Sequence, residues 1–428
     1  MEFSPYVTWY EKTATERPSF DTLTDSIECD ICIIGGAFTG VDALLHAAEK
    51  GQKAVLIEPG KIGYGCTGRA GGLIESGLNT TIDDLSDFYG RLSAHSFWNS
   101  TIEARDKIVE NIRKYNINCD YVEGLTYISR NKLKRDGYIN YVNYFSHYFD
   151  SDPIESLTHD DVQQKLKMPS AVLGMHFMKS GGFNPLSYLF GMAQAAVTQG
   201  AKIYENTSVV AIDEKEKITV QTNAGTVVCD HVIVCGNAYM GGESSPEKTQ
   251  TVSMNYFQIV TKPLDQELLD LIAPQGPMVA ASRGDLRSYL QITADKRILY
   301  GGPEFSDVKN GESFAAQKLK ELYFYLPDIK GHVEVDYVWS GAVGVPMNYV
   351  PIFHKVSNRH YVTHGFNGHG VAISCFAGHV IVDAILEDDG LYDIYSRIKP
   401  RPIPQWVHHT VAKVTLILYR LFARRFNA

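Results

Sequence analysis

The stretch Ser26–Gly77, SIECDICIIGGAFTGVDALLHAAEKGQKAVLIEPGKIGYGCTGRAGGLIESG, decides the fold. Ile27 to Ile34 reads as a short apolar strand, ended by Gly35-Gly36-Ala37-Phe38-Thr39-Gly40. A helical run follows to Lys50, with Val41, Leu44, Leu45 and Ala48 on one face and Gly51 in the place of a C-cap glycine. Lys53 to Glu58 reads as a second strand, and its centre, Ala54 to Ile57, is wholly apolar, as in a parallel sheet buried on both faces. With an acid at its end, this is half of a dinucleotide-binding βαβ unit.

Each position has a physical reason. Gly35 permits the tight strand-to-helix turn, and Gly40 lets helix and strand approach closely. Between them the backbone must be bare, so that N–H groups at the positive end of the helix reach a pyrophosphate. Ala37 departs from this pattern by one methyl group at the closest approach. Such crowding costs about 1–3 kcal/mol, roughly ten- to a hundredfold in affinity. Glu58 is placed to accept hydrogen bonds from a ribose diol and would repel a 2′-phosphate, which disfavours NADP. Beyond it, Gly60–Gly77 holds seven glycines in eighteen residues. The interleaved Ile62, Tyr64, Leu73 and Ile74 make it a backbone passing close to a ligand rather than a flexible linker.

At 428 residues the chain suggests about two domains. A net charge of −9 argues against a nucleic-acid partner. The N-terminus has no apolar signal core, and no run approaches the ~20 apolar residues of a membrane span. Seven cysteines, an odd number without framework spacing, point to a reducing, cytoplasmic setting. Cys29 and Cys32 have C-x-x-C spacing but sit at a strand entry rather than a helix N-terminus, so buried strand thiols are expected. His360 and His364 fall on a predicted strand, too far apart for one metal, and no metal site is expected.

Elsewhere, Met1 to Thr24 reads as a polar lead-in and Thr81 to Asn116 as helical. Pro185 to Gly200 forms a helix opened by Asn184 as N-cap. Residues 202–204, 209–213, 218–222, 226–228 and 231–234 read as five short strands. Met254 to Thr261, Tyr289 to Thr293 and Arg297 to Gly301 are expected as antiparallel strands of a second sheet, whereas Tyr138 to Phe149 fits strand or helix. A glycine turn, Gly365 to Gly370, precedes a long helix from Val371 to about Glu387. In the tail, Val407, Val411, Val414, Leu418 and Leu421 share a helical face, with basic residues off it. That helix either lies on a membrane surface or packs on the body or another subunit; the oligomeric state stays open.

Several separated motifs, in order, resemble the D-amino-acid-oxidase-like (glycine/sarcosine oxidase) flavoprotein superfamily. They are Ile33 to Gly40, Gly63 to Gly72, Gly181 to Pro185, Cys235 to Tyr239 and Gly365 to Gly370. Thr293 to Gly302, Gly344 to Pro351 and Leu418 to Phe422 are most similar to the gamma-glutamylputrescine oxidoreductase branch. The resemblance implies FAD and an α/β fold: a discontinuous Rossmann-like FAD-binding domain with an inserted α+β substrate domain on a mostly antiparallel sheet. Residues 1–80, 171–245 and 336–400 would form the FAD-binding pieces, 81–170 and 246–335 the substrate domain, and 401–428 the amphipathic tail.

By the same resemblance, the Gly35, Gly36, Ala37, Phe38, Thr39, Gly40 turn holds the pyrophosphate and Glu58 the AMP ribose. Gly65, Cys66, Thr67, Gly68, Arg69, Gly71, Gly72 and Leu73 wrap the flavin side, and Val209 meets adenine through its backbone. Gly236 and Asn237 close over the cofactor, while Asn367, Gly368, His369, Gly370 and Val371 present a helix N-terminus to the flavin pyrimidine edge, where donors stabilise negative charge. Relatives that attach FAD covalently use a histidine or a cysteine where this chain has Arg69 and Gly341, so non-covalent FAD is expected, with Cys66 close to the first site.

The implied reaction oxidises a C–N bond of a small amine or polyamine derivative to an imine and then a carbonyl, with O2 or another electron acceptor. Ala342-Val343 stands where amino-acid-oxidising relatives place an arginine, which turns the expectation away from α-amino acids. Arg283 and Arg287 are alternative carboxylate grips. His369 is a candidate acid or positive charge near the flavin; Tyr289, Trp339 and Asn348 are candidates for the catalytic cavity, with core packing the plainer role. Two alternatives stay open: a dehydrogenase passing electrons to quinone or a protein, and a degenerate partner subunit with weakened FAD binding.

Overall fold

A computed structural model describes residues 7–240, 250–282, 288–304, 311–386, 390–400 and 402–403. Two sheets organise them. At the centre of the first are five parallel strands, in the order Lys202–Tyr204, Ala54–Ile57, Ser26–Ile34, Thr226–Val234 and His360–His364. Ile352–Ser357 runs antiparallel on one edge. Val209–Glu214 and Ile218–Thr222 form a hairpin laid against the start of Thr226–Val234. That last strand is continuous, where two short strands are expected, because Cys229 stays in register with Cys29 through the middle.

The second sheet has nine strands, Val335–Pro346, Thr251–Thr261, Ile298–Glu304, Tyr289–Ile292, Met278–Ser282, Val122–Ser129, Leu173–Gly182 and Leu73–Ile74 in order, with Ile154–Thr158 beside Leu173–Gly182. Every neighbouring pair is antiparallel except Met278–Ser282 with Val122–Ser129. The chain therefore leaves the parallel sheet and returns to it twice. Leu173–Gly182 and Val335–Pro346 both belong to the second sheet, so sheet membership changes after Gly182 and after Pro346, later than the expected edges at 171 and 336. Gly181 makes the longer ladder possible, since a Cβ there would stand 2.2 Å from the Val122 carbonyl oxygen.

Helix ends follow local chemistry. Asn184 Oδ1 accepts from the N–H groups of Leu186 and Ser187, and Pro185 opens the helix Pro185–Thr198 as expected. The expected long helix from Thr81 is split into Ile82–Tyr89 and Arg91–Lys114 by Gly90 at φ +80°. Residues 138–149 resolve as helix, Arg135–Tyr148. The run from Val371 also breaks, into Val371–Ser374 and Ala377–Ile385. In the second piece Gly378 presses backbone to backbone on the helix Phe38–Glu49: a Cβ there would lie 2.3 Å from both Ala43 N and Thr39 O.

Cys29, Cys32 and Cys229 are buried together in an apolar cluster with Val227 and Val232, as free thiols. Between the helices Phe38–Glu49 and Ala377–Ile385, His46 and His379 share the carboxylate of Asp383, at 2.7 and 3.4 Å. Among the described residues only these three lie close enough to hold an ion. Their imidazole rings, however, stack at 3.4 Å and 25°. Lone pairs in the planes of two nearly parallel rings do not converge on one ion, so this is a hydrogen-bonded clamp between helices. The tail beyond residue 403 lies outside the described residues, as do Arg283 and Arg287.

Candidate active site

A cavity of about 920 Å³ runs from the carboxyl ends of the parallel strands to the face of the second sheet. Open α/β sheets bind ligands at that edge, and the volume is that of a cofactor-sized site. Gly35, Gly36, Ala37, Phe38, Thr39, Glu58, Val209, Gly236 and Asn237 line one end. Gly35 has φ +117°. Gly40 lies behind the turn, where a Cβ would fall 1.8 Å from Gly35 O; it sets the helix-to-strand spacing and does not line this cavity. Ala37 is the N-cap of the helix Phe38–Glu49, at φ −100° and ψ −173°. Alanine adopts this extended conformation without strain, so the departure at Ala37 concerns only its methyl group.

Glu58 Oε2 accepts from Gly36 N–H at 2.7 Å and Oε1 from Gly60 N–H at 2.9 Å. Burial raises its pKa, while these two donors work the other way. Thr67 Oγ1 accepts from Phe38 N–H at 3.3 Å, which fastens the glycine-rich loop to the start of the helix.

Within that loop Gly65, Cys66, Thr67, Arg69, Gly71 and Leu73 line the cavity, whereas Gly68 and Gly72 do not. The latter two fold the loop: a Cβ would meet Gly63 O at 2.5 Å from Gly68, and Phe183 O at 2.4 Å from Gly72, which also has φ +69°. Gly71 makes room for Tyr289, whose ring atoms would stand 2.5 Å from an added Cβ. Arg69 is buried, with its guanidinium over the Tyr64 ring at 4.7 Å and its Nε without a protein partner. Gly341 faces it, 2.7 Å from the Arg69 Cβ were it to carry a Cβ of its own. Burial pushes the Cys66 thiol up to about 11 despite Arg69, which makes it a poor nucleophile.

Gly368, His369, Gly370 and Val371 line the cavity from the far side. Asn367, at φ +58°, sits just behind them, its carbonyl accepting from Asn79 Nδ2 at 2.9 Å and its Nδ2 donating to Tyr349 O at 3.2 Å. The helix they open, Val371–Ser374, is one turn long. The expected helix dipole is therefore slight there, and only the free N–H groups of a first turn remain. Asn237 Oδ1 accepts from Gly365 N–H at 3.0 Å and joins this turn to the segment that follows the strand Thr226–Val234.

On the second sheet, Tyr289 is a cavity wall, as expected; its hydroxyl accepts from Gln258 Nε2 at 2.7 Å and burial raises its pKa. Trp339 and Asn348 are not. Trp339 is fully buried behind the loop, edge-on to Tyr10 at 5.6 Å, with its N–H towards Arg69 O at 3.4 Å. Asn348 lies outside the lining and offers its carbonyl to the Tyr89 hydroxyl at 3.0 Å. Trp339 shares a strand face with the lining residues Gly341 and Val343 and stands opposite Gln258, but the glycine-rich loop at Arg69 covers it; Asn348 lies past the end of that strand, beside Tyr89. His369 Nδ1 lies 3.1 Å from Glu75 Oε1, and Tyr127 donates to Glu75 Oε2.

Sequence reasoning missed Glu75, Tyr127, Tyr256 and Gln258, all in the lining. Gln258 carried a usable signal, a polar residue inside the apolar run Phe257-Gln-Ile-Val260. Glu75 carried none beyond lying in the glycine-rich stretch. A flavin dinucleotide fits what is present: a cofactor-sized cavity, a glycine cradle closed to side chains, a diol-accepting carboxylate, and the unpartnered buried Arg69 Nε.

The family model described as "FAD dependent oxidoreductase" matches residues 30–384. The chain is 31% identical to the probable oxidoreductase OrdL of Haemophilus influenzae, over 91% of this chain and 90% of that one. It is 29% identical to the gamma-glutamylputrescine oxidoreductase of Escherichia coli, over 92% of each. Among solved structures it resembles glycine oxidase from Bacillus cereus, with TM-score 0.67, 20% identity and coverage of 86% of this chain and 98% of that one. An L-amino acid deaminase from Proteus vulgaris gives TM-score 0.70 at 18% identity, covering 90% and 96%. The nucleotide-binding turn, the glycine-rich loop and the matched family thus agree, and the chain belongs to the D-amino-acid-oxidase-like family of FAD-dependent oxidoreductases.

Proposed function

We propose that the enzyme oxidises a C–N bond of a small amine or polyamine derivative, resembling gamma-glutamylputrescine, with non-covalent FAD and O2 as electron acceptor. The observation that carries this reading is Val343 in the cavity lining, where an α-carboxylate would need a cation. Similarity to gamma-glutamylputrescine oxidoreductase along 92% of the chain supports it.

Glu58 would hold the ribose and the Gly35–Thr39 turn the pyrophosphate. The loop from Gly65 to Leu73 and the turn Gly368–Val371 would hold the ring. With FAD bound, the carbon next to nitrogen gives up a hydride, the nitrogen gives up a proton, water hydrolyses the imine to carbonyl and amine, and O2 leaves as H2O2 with the two electrons and two protons. The protein supplies orientation and dryness. Tyr127, Tyr256 and Tyr289 wall the cavity, and an apolar enclosure favours the neutral, reactive amine. Neither Arg69 nor Gly341 can attach a flavin, and the raised pKa of Cys66 keeps it a thiol, which supports non-covalent binding.

The pure protein should be yellow, release FAD on denaturation, bleach anaerobically with a suitable amine and form peroxide in air. Dye reduction without peroxide would replace O2 by another acceptor. A colourless protein that cannot be reconstituted with FAD would end the reading.

A further inference from the structure

Glu75 is a carboxylate in the cavity lining to which the cofactor reading above gives no role. It lines the cavity with its side chain 14% exposed, and its neighbours hold it still. Tyr127 donates to one oxygen and His369 Nδ1 approaches the other at 3.1 Å. The next residue, Ser76, is fixed by a hydrogen bond of 2.5 Å to Asp152 Oδ2, and Asp152 is ion-paired with the fully buried Arg105. Two of a carboxylate's roughly four acceptor positions remain open.

Among the described lining residues the only lysine or arginine is Arg69, and its guanidinium lies over Tyr64. A second acceptor is also unused: Gln258 is wholly buried in the same wall, gives Nε2 to Tyr289, and leaves Oε1 without a partner. A largely buried carboxylate with open acceptor positions in the lining of a cavity calls for a ligand that carries N–H donors, at least one of them charged.

We propose that Glu75 is a specificity residue that binds a second, cationic nitrogen of the substrate, so that the enzyme prefers diamine-type substrates to monoamines of the same length. The proposal rests on the amine-oxidation reading above. A preorganised carboxylate keeps the distal ammonium charged while the reacting nitrogen enters the apolar part of the cavity as the free base.

The test uses the FAD-loaded enzyme, α,ω-diaminoalkanes of three to six carbons and the matching n-alkylamines. Half-saturation is read from anaerobic flavin bleaching, and diamine binding is read separately by calorimetry. The wild type should favour one diamine over its monoamine by about ten- to a hundredfold. Glu75→Gln should remove most of that ratio and Glu75→Asp should keep part of it, with the flavin spectrum reporting that each variant is folded. Equal ratios in wild type and Glu75→Gln would overturn the proposal, and so would unchanged calorimetric affinity for the diamine. Bleaching by no amine at all would instead defeat the amine reading, and calorimetry would still decide the role of Glu75.

Discussion

The backbone N–H of Gly36 lies 2.7 Å from Oε2 of Glu58, so one charge-assisted hydrogen bond joins the nucleotide-binding turn to the end of the second strand. The same carboxylate takes Gly60 N–H at 2.9 Å. Glu58 therefore shapes the turn, in addition to the ribose contact proposed for it. Glu58→Ala removes both roles and should weaken FAD binding by about ten- to a hundredfold, with Glu58→Gln in between. Titration of apoprotein with FAD, followed by flavin fluorescence, measures it. Equal affinity in the wild type and Glu58→Ala would show that the carboxylate touches neither the turn nor the ribose to any effect.

Ala37 separates two effects that the sequence alone merges. Its backbone is extended and unstrained, so Ala37→Gly relieves only the methyl group. The variant should bind FAD up to about tenfold more tightly, yet lose about 0.4–1 kcal/mol of apoprotein stability through the freer unfolded chain. Unchanged affinity would place the methyl group out of reach of the pyrophosphate.

Gly71 and Tyr289 share one space. Gly71→Ala sets a Cβ 2.5 Å from the ring and should cost about 1–3 kcal/mol of stability along with FAD retention. Combining it with Tyr289→Leu should recover a large part of that loss, a coupling visible in a double-mutant cycle of melting temperatures. Additive losses would mean the contact is not the cause.

Burial pushes six of the described histidines below the usual range: His379 and His364 to about 4, and His46 (despite Asp383), His95, His176 and His231 in the same direction. The unfolded groups titrate near ~6.5. The folded state thus binds fewer protons, and its stability is complete above that value and lost as pH falls towards 4. His379, His364 and His46 each contribute a slope of up to about 1.4 kcal/mol per pH unit. Melting temperature should be flat above neutrality and fall through the acid window, less steeply in His379→Gln or His364→Gln. Because His46 and His379 clamp the helix that begins at the nucleotide turn, FAD release should follow the same window. A slope identical in all three proteins would sink the assignment.

The sequence by itself determined the nucleotide half of the molecule. Gly35, Gly40, Glu58 and the glycine run are read from local rules, because a tight turn, a close crossing and an acid at a strand end each need particular residues at fixed spacing. Motif order carried the family and the cofactor. Tertiary structure alone assembled the other side of the cavity. Glu75, Tyr127, Gln258 and His369 come from the glycine-rich loop, from two strands far apart in the chain and from a late turn, and no local spacing links them. The exchange of Trp339 and Asn348 for Glu75 and Gln258 has the same origin. Trp339 stands on the same sheet face as Gly341, Val343 and Gln258, yet the glycine-rich loop, folded over it from the other end of the chain, keeps it out of the cavity, and no rule of strand periodicity contains that cover.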